Sequence, residues 1–436
     1  MGSDYLTLLA ADAAGEVFDL PGIHAAGRSG DTVVPLRRSE CIPLPKGSEL
    51  FQLPRRLPLG FDVPSGEPIE VGDGEVTAVA AFLAPAHTQL LTAPYETLRG
   101  APRLPLFAYT AVGLHRGRIY VPARRVDPDR RQDIDQFPLS RLRQRARRLK
   151  ERHRGNRLWQ HLLDCALCSG CPAARNLVLG RWEAPLPTSR TCNARCLGCL
   201  SLQPPSSACP ATQERIAFTP TVGEIIEIAV PHLEKAPRAV VSFGQGCEGE
   251  PLTAVDLIEE AVRAIRRRTA RGTINMNTNA SSPGRIERLF SAGLDSIRVS
   301  LNSAREKVYS AYFRPKGYGL DAVEESLLTA RRMRRFSSIN YFVFPGVTDD
   351  PGEFRAFTGL LTAARPDLIQ WRNLNLDPEW YWETAAPFSN GRPLGVATVM
   401  DRIRERFPAL RYGYYNPPLR GPMTYGPVRR KKGSRS

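Results

Sequence analysis

Thr191–Cys192–Asn193–Ala194–Arg195–Cys196–Leu197–Gly198–Cys199 sets three thiols in the spacing C-x3-C-x2-C. Three thiolates on one short loop hold three corners of a cubane cluster, since Cys is the usual ligand of [4Fe–4S] iron. The remaining iron then lacks a protein ligand, and an open coordination position separates a reactive metal site from a closed structural one. The competing reading is a zinc knuckle or a closed cluster. Zinc usually takes four ligands in two pairs, and no His lies near this loop.

Outward from the cysteines the chain turns regular. Strand-like runs at Ala239–Phe243, Thr273–Asn277, Ser296–Leu301, Ser338–Phe344 and Leu368–Asn373 alternate with helical patterns. The helical stretches are Val222 to Leu233, Val255 to Arg268, Arg285 to Ser291, Ala304 to Arg335 (broken at Pro315–Gly319) and Pro351 to Ala364. Such alternation predicts a parallel sheet or barrel. With one more strand ahead of the cysteines, the expected fold class is α/β, a partial (β/α)6 TIM-like barrel over 183–377. Chemistry in α/β barrels sits at the C-terminal ends of the strands.

Those strand ends carry distinctive strings. The first is Gly244–Gln245–Gly246–Cys247–Glu248–Gly249–Glu250–Pro251. Its G-x-G-x-x-G spacing is that of a dinucleotide loop. However, Glu248 and Glu250 would oppose a pyrophosphate, and Thr269–Ala270–Arg271 stands where the ribose-binding acid belongs. Then follow Asn275–Met276–Asn277–Thr278–Asn279, Arg298–Val299–Ser300–Leu301–Asn302–Ser303, Phe344–Pro345–Gly346–Val347–Thr348–Asp349 and Gln370–Trp371–Arg372–Asn373.

Together with the cysteine spacing, this series resembles the radical S-adenosylmethionine (radical SAM) superfamily over roughly residues 183 to 377. The resemblance implies a [4Fe–4S] cluster on Cys192, Cys196 and Cys199 whose open iron chelates the amino and carboxylate groups of S-adenosylmethionine. Reductive cleavage would give a 5′-deoxyadenosyl radical that abstracts a substrate hydrogen, fed by a reductant such as ferredoxin or flavodoxin. In the resemblance, Gly249 and Glu250 match G-G-E-P and meet the S-adenosylmethionine amino group. Asn277 and Asn279 match T-N-G, beside the ribose; Ser300 and Asn302 match the fourth strand, near ribose or carboxylate; Gly346 matches P-G-x-x-D, near adenine. Arg372 points toward substrate or the S-adenosylmethionine carboxylate, or is a satisfied polar residue at the barrel rim. Three positions depart from the pattern: Gly198 where an aromatic is common, Glu248 for the first glycine of G-G-E-P, and Ala280 for the glycine of T-N-G.

A second run, Cys165–Ala166–Leu167–Cys168–Ser169–Gly170–Cys171–Pro172, is C-x2-C-x2-C-P. It resembles the bacterial ferredoxin run, which needs a distant fourth Cys. Cys209 is the preferred partner, with Cys41 and Cys247 as alternatives. This predicts an auxiliary [4Fe–4S] cluster serving electron or sulfur transfer; a zinc site on the same ligands is the alternative.

The rest of the chain divides by composition. Residues 1–137, with short branched runs between Pro and Gly, are expected to be a β-rich accessory or recognition domain. Residues 138–182 are expected to be a basic helical linker with the auxiliary cysteines, Ser140 capping its first helix. Residues 378–436 are expected to be an extension with a helix from about Leu394 to Phe407 and a disordered basic end from Arg429 to Ser436. The formal net charge is +16, and only seven of the 60 basic residues are Lys. The excess is compatible with a nucleic acid or another acidic partner, and equally with a genome that favours Arg. A peptide, an RNA and a small molecule are all open as substrate, and the β-rich N-terminal domain with the basic charge favours a macromolecule, a peptide or an RNA. No apolar run approaches the ~20 residues of a membrane helix and no secretory signal is visible, so the cytoplasm is expected and a membrane is not. The rival classes are a non-enzymatic iron–sulfur electron carrier and an RNA-binding protein with zinc clips.

Overall fold

The computed structural model describes residues 4–72, 74–204, 207, 209–389 and 391–420. At its centre is a seven-stranded sheet in which every neighbouring pair is parallel and strand order follows chain order. The strands are β1 (Glu183–Pro185), β2 (Val240–Phe243), β3 (Thr273–Thr278), β4 (Ser296–Leu301), β5 (Phe336–Val343), β6 (Leu368–Asn373) and β7 (Arg411–Gly413). Helices α4 (Val222–Lys235), α5 (Val255–Arg268), α6 (Pro283–Ala292), α7 (Glu306–Phe313), α8 (Leu320–Arg332) and α9 (Pro351–Ala364) connect them. This is the expected partial TIM-like barrel.

Local chemistry explains the elements. A capping box of Thr221 and Glu224 starts α4. Asp350 caps α9, with Pro351 in its first turn. In α5, Val255, Ile258, Val262 and Ile265 recur at helical spacing and are all buried. Arg266, Arg267 and Arg268 sit in its last turn, where the helix dipole favours cations.

The two faces of the sheet differ. Ile274, Met276, Ile297, Val299, Leu301, Ile339, Tyr341, Ile369 and Trp371 are fully buried apolar residues. The alternating inward positions, linked by register, are Ser242, Asn275 and Ser296, then Asn277 and Arg298, then Ser300, Asn340 and Gln370. The interior of a closed TIM barrel is packed with branched apolar side chains; this lumen is polar.

The C-terminal region contributes more than the sequence promised. Between α10 (Pro378–Ala385) and α11 (Val396–Arg406) and beyond them the chain returns to the sheet, and β7 adds a seventh strand where six were expected. Residues 414–420 then cross back under the lumen. Asn416 bonds to Glu183, Ser242, Asn277 and Gln370, and Leu419 N donates to Thr273 Oγ1. The basic stretch Arg429–Ser436 lies outside the described residues.

Among the described residues, the strands from Thr7 to Arg125 form an eleven-stranded sheet and a two-stranded one, β-rich as expected, with every pair antiparallel. They lean on the C-terminal ends of β5 and β6. Ser29 Oγ donates to Asp349 at 2.9 Å, Thr88 Oγ1 to Trp371 O at 2.8 Å, and buried Arg56 pairs with Asp377 at 3.4 Å. Helices α1 (Leu139–Arg152), α2 (Arg157–Leu167) and α3 (Pro172–Leu179) lead into the barrel. Ser140 lies inside α1, whose cap position is Pro138 and carries no side-chain cap bond. Arg141, Arg143 and Arg147 of α1 are exposed, the solvated helix face. Among the described residues no single helix is long and apolar enough to cross a membrane.

Candidate metal and cofactor site

The Cys192–Cys199 loop has no regular structure and is held from two sides. The amides of Arg195 and Leu197 donate to Phe313 O and Tyr312 O at the end of α7, both at 3.0 Å. On the other side, Gly249 N donates to Ser189 O at 2.7 Å and Glu250 N to Thr191 O at 2.9 Å. Gly249 has to be glycine, because a Cβ there would stand 1.9 Å from Thr191 O. The three thiols are half-buried. Burial, then the charges of Cys199 and Cys192, push the Cys196 thiol well above its usual range. Burial also raises Cys192, with Glu250 and Cys199 adding to it and Arg215 opposing. Arg215 donates to Cys199 Sγ at 3.5 Å. Thiols that oppose one another's ionisation fit a bound metal centre, whose charge deprotonates its thiol ligands. Cys192, Cys196 and Cys199 would hold it.

Gly198 has a steric reason to lack a side chain. A Cβ there would lie 3.1 Å from both Asn375 O and Tyr312 Oη. Tyr312 Oη thus crowds the space that a side chain at 198 would enter.

Glu248 is the buried hub of its loop. Its carboxylate accepts from Gly244 N, Gln245 N, Thr188 N, Ser189 N and Thr188 Oγ1, five donors that tie the 244–250 loop to the start of the cysteine segment. Glu250, also buried, accepts from Leu252 N, Thr278 Oγ1 and Asn279 N. Burial outweighs those donors and pushes its carboxyl up to about 7. Asn279 Nδ2 donates to Asn193 Oδ1 at 2.8 Å, joining the end of β3 to the cysteine loop. Ala280 takes the left-handed conformation, with φ of 57°, at the place of the expected glycine.

Of the other expected residues, Asn277 lies in the lumen, bonded to Gly244 O, Asn275 and Asn416. Ser300 is half-buried on the same face of β4 as Arg298. Asn302 turns to Val308 O and Tyr381 Oη. Gly346 permits close approach of the N-terminal region, since a Cβ there would meet Gly30 N at 2.3 Å. Arg372 donates to Tyr414 O at 2.9 Å and stacks on the Tyr414 ring at 4.0 Å, holding the C-terminal strap. The sequence had not singled out Arg298, which donates to Gln370 at 3.3 Å while its Nε has no partner. Burial, then Arg372, lower it to about 9. Its signal was the period-two polarity of Ser296, Arg298 and Ser300. Asn416, in a Pro-rich stretch, had none.

The second cysteine run assembles differently from expectation. Cys209 is fully buried and donates to Leu104 O at 3.1 Å, and the charges acting on it are those of Asp377 and Arg103. Cys209, expected as the fourth ligand of that run, thus turns to the N-terminal region. Cys247 stands beside Cys165, and the charges of Cys165 and Cys171 act on it. The hydrogen bond that Cys247 donates and the nearby His161 draw Cys165 down to about 5. Cys168 is exposed at the end of α2.

The sequence profile of the Radical SAM superfamily matches residues 186–357. That stretch is a radical SAM domain. It takes in the cysteine loop and the strands β2 to β5. Radical SAM enzymes bind a [4Fe–4S] cluster and S-adenosylmethionine. No curated protein matches the chain. Among solved structures, the chain is similar to the [FeFe]-hydrogenase maturase HydG at 14% identity and a TM-score of 0.33, over 55% of this chain and 59% of HydG. It is similar to Streptococcus suis SuiB bound to S-adenosylmethionine at 14% identity and a TM-score of 0.36, over 55% of this chain and 53% of SuiB. It is similar to methylornithine synthase PylB at 14% identity and a TM-score of 0.37, over 61% of this chain and 82% of PylB.

Proposed function

We propose that the chain is a radical SAM enzyme that takes a hydrogen atom from a substrate bound at the mouth of its polar lumen. One observation carries this reading: the loop with the three thiols, the Glu250 loop and the end of β3 are hydrogen-bonded into one unit through Thr191, Asn193, Glu250 and Asn279. When bound, the cluster and S-adenosylmethionine supply the reductive cleavage that generates a 5′-deoxyadenosyl radical.

The chain's own residues do the positioning. In this proposal Cys192, Cys196 and Cys199 ligate the cluster. Gly249 and Glu250 face the amino group of S-adenosylmethionine, and Asn277, Asn279 and Ser300 line its nucleoside side, whereas Asn302 is taken up by Val308 and Tyr381 and Gly346 by the contact with Gly30. Arg298 and Arg372 place positive charge inside the lumen, and the 414–420 strap shuts the lower end against water. The substrate we favour is a peptide or an RNA, which the net charge of +16 supports. A low-potential reductant such as ferredoxin or flavodoxin completes the system.

The test is anaerobic: reconstituted protein, dithionite and S-adenosylmethionine should release 5′-deoxyadenosine. A sample replete in iron that releases none overturns the proposal.

A further inference from the structure

Cys165 and His161 lie one turn apart on α2, so both project from one helix face. Asn156 caps α2, and buried Leu158, Trp159 and Leu162 fix its rotation. Cys247 arrives from the loop between β2 and α5. His161 Nε2, Cys165 Sγ and Cys247 Sγ all lie within 4.8 Å of one another. The separation of Cys165 Sγ from His161 Nε2 is 3.6 Å. Cys165 is 6% exposed and Cys247 2%.

These spacings discriminate between metal centres. A tetrahedral zinc ion has metal–sulfur bonds of about 2.3 Å and metal–nitrogen bonds of about 2.0–2.1 Å, which puts neighbouring ligand atoms roughly 3.6–3.8 Å apart. In a cubane each thiolate binds a different iron, so the ligand sulfurs stand farther apart. The Cys192, Cys196 and Cys199 thiols form no group within 4.8 Å among the described residues, as a cubane clip should. The group of His161, Cys165 and Cys247 has the spacing of one ion. The candidate fourth ligand is Cys171, whose Sγ lies outside the 4.8 Å group and near enough for its charge to act on Cys247 and that of Cys165 to act on it, so ligation requires its side chain to turn toward the group. The amide of Cys171 donates to Cys165 O at 3.0 Å, and Cys171 packs against the core cluster that contains Cys165 and Cys247.

We propose that His161, Cys165, Cys171 and Cys247 hold one tetrahedral zinc ion in a closed structural site, in place of the auxiliary iron–sulfur cluster that the cysteine spacing suggests. The ion would pin α2 and the start of α3 to the loop that carries Glu248 and Glu250. The site thus fixes the position of the S-adenosylmethionine-facing loop from behind and takes no part in the radical chemistry. It stands independently of the radical SAM proposal, because its readout is metal content and ligand identity.

The experiment uses full-length chain with Cys192, Cys196 and Cys199 replaced by Ala, so that any remaining metal belongs to the second site. Elemental analysis should find about one zinc per chain, and zinc-edge X-ray absorption should fit three sulfurs at about 2.3 Å and one nitrogen at about 2.0 Å. Adding His161→Ala with Cys247→Ser should remove the zinc, and adding Cys209→Ser should leave it in place. The absorption spectrum needs no second-site variant, so it decides the matter even if the His161 and Cys247 changes unfold the chain. About four irons per chain in place of zinc, no metal at all, an absorption shell without nitrogen, or a Cys165–Cys247 disulfide would each overturn the proposal.

Discussion

The two cysteine runs place their thiols by different means. Cys192, Cys196 and Cys199 come from one irregular loop, half-buried, and neighbouring strand ends hold that loop by its backbone. In the second run, Cys165 is fixed by a packed helix, and the partner close to it, Cys247, belongs to a separate loop in the same hydrophobic core. A contiguous spacing therefore describes a site fully only when all its ligands share one loop. Where the fold brings a ligand from elsewhere, spacing gives the number of thiols and leaves their partner open. The loop that carries Cys247 also carries Glu248 and Glu250, so the two sites meet in a single segment.

Gly249→Ala should break that segment where it serves the first site only. The added Cβ would stand 1.9 Å from Thr191 O, a backbone atom that cannot swing aside. We expect S-adenosylmethionine cleavage to fall about a hundredfold, or about 2.7 kcal/mol, while the zinc content stays unchanged. An alanine variant with normal cleavage would mean that the contact between the two loops is dispensable.

Glu250→Gln sharpens the comparison through pH. Burial pushes the folded carboxyl up to about 7 from an ordinary value of 4.5. A raised acid favours the folded state below the unfolded value, and that contribution is lost as pH rises through the folded one. Stability from this group should therefore fall between about pH 4.5 and 7, by up to about 3 kcal/mol. Denaturant melts of the apoprotein at several pH values should show this slope in the native chain and lose it in Glu250→Gln. Equal slopes would place Glu250 in a wetter environment than the structure gives it.

Cys209→Ser is expected to do least. A hydroxyl can replace the bond to Leu104 O, so stability should change by less than about 1 kcal/mol. Both metal contents should hold, whereas loss of metal would return Cys209 to the ligand set.

The barrel was legible because its strands are buried on one face by Ile, Val and Leu, and its helices carry clear starts such as Thr221–Glu224 and Asp350–Pro351. β4, β6, α5 and α9 fall where the pattern placed them. β7 was not legible: three residues between turns carry no period, and pairing with β6 alone makes Arg411–Gly413 a strand. The cysteine loop could be read from spacing, and Glu250 from its place after β2. The structural uses of Glu248, Gly198 and Gly346 could not, since each answers to an atom far away in sequence: Ser189 N, Asn375 O and Gly30 N. The bond of Cys209 to Leu104 O was likewise invisible, since its partner stands about a hundred residues away in the chain.

The most direct test is to measure 5′-deoxyadenosine from S-adenosylmethionine under dithionite in three chains: native, Cys196→Ala, and Cys165→Ser with Cys247→Ser. The account predicts release from the native chain, none from Cys196→Ala, and reduced but measurable release from the double variant, whose lost site only supports the Glu250 loop. Release from Cys196→Ala equal to that of the native chain, or none from an iron-replete native chain, would contradict it.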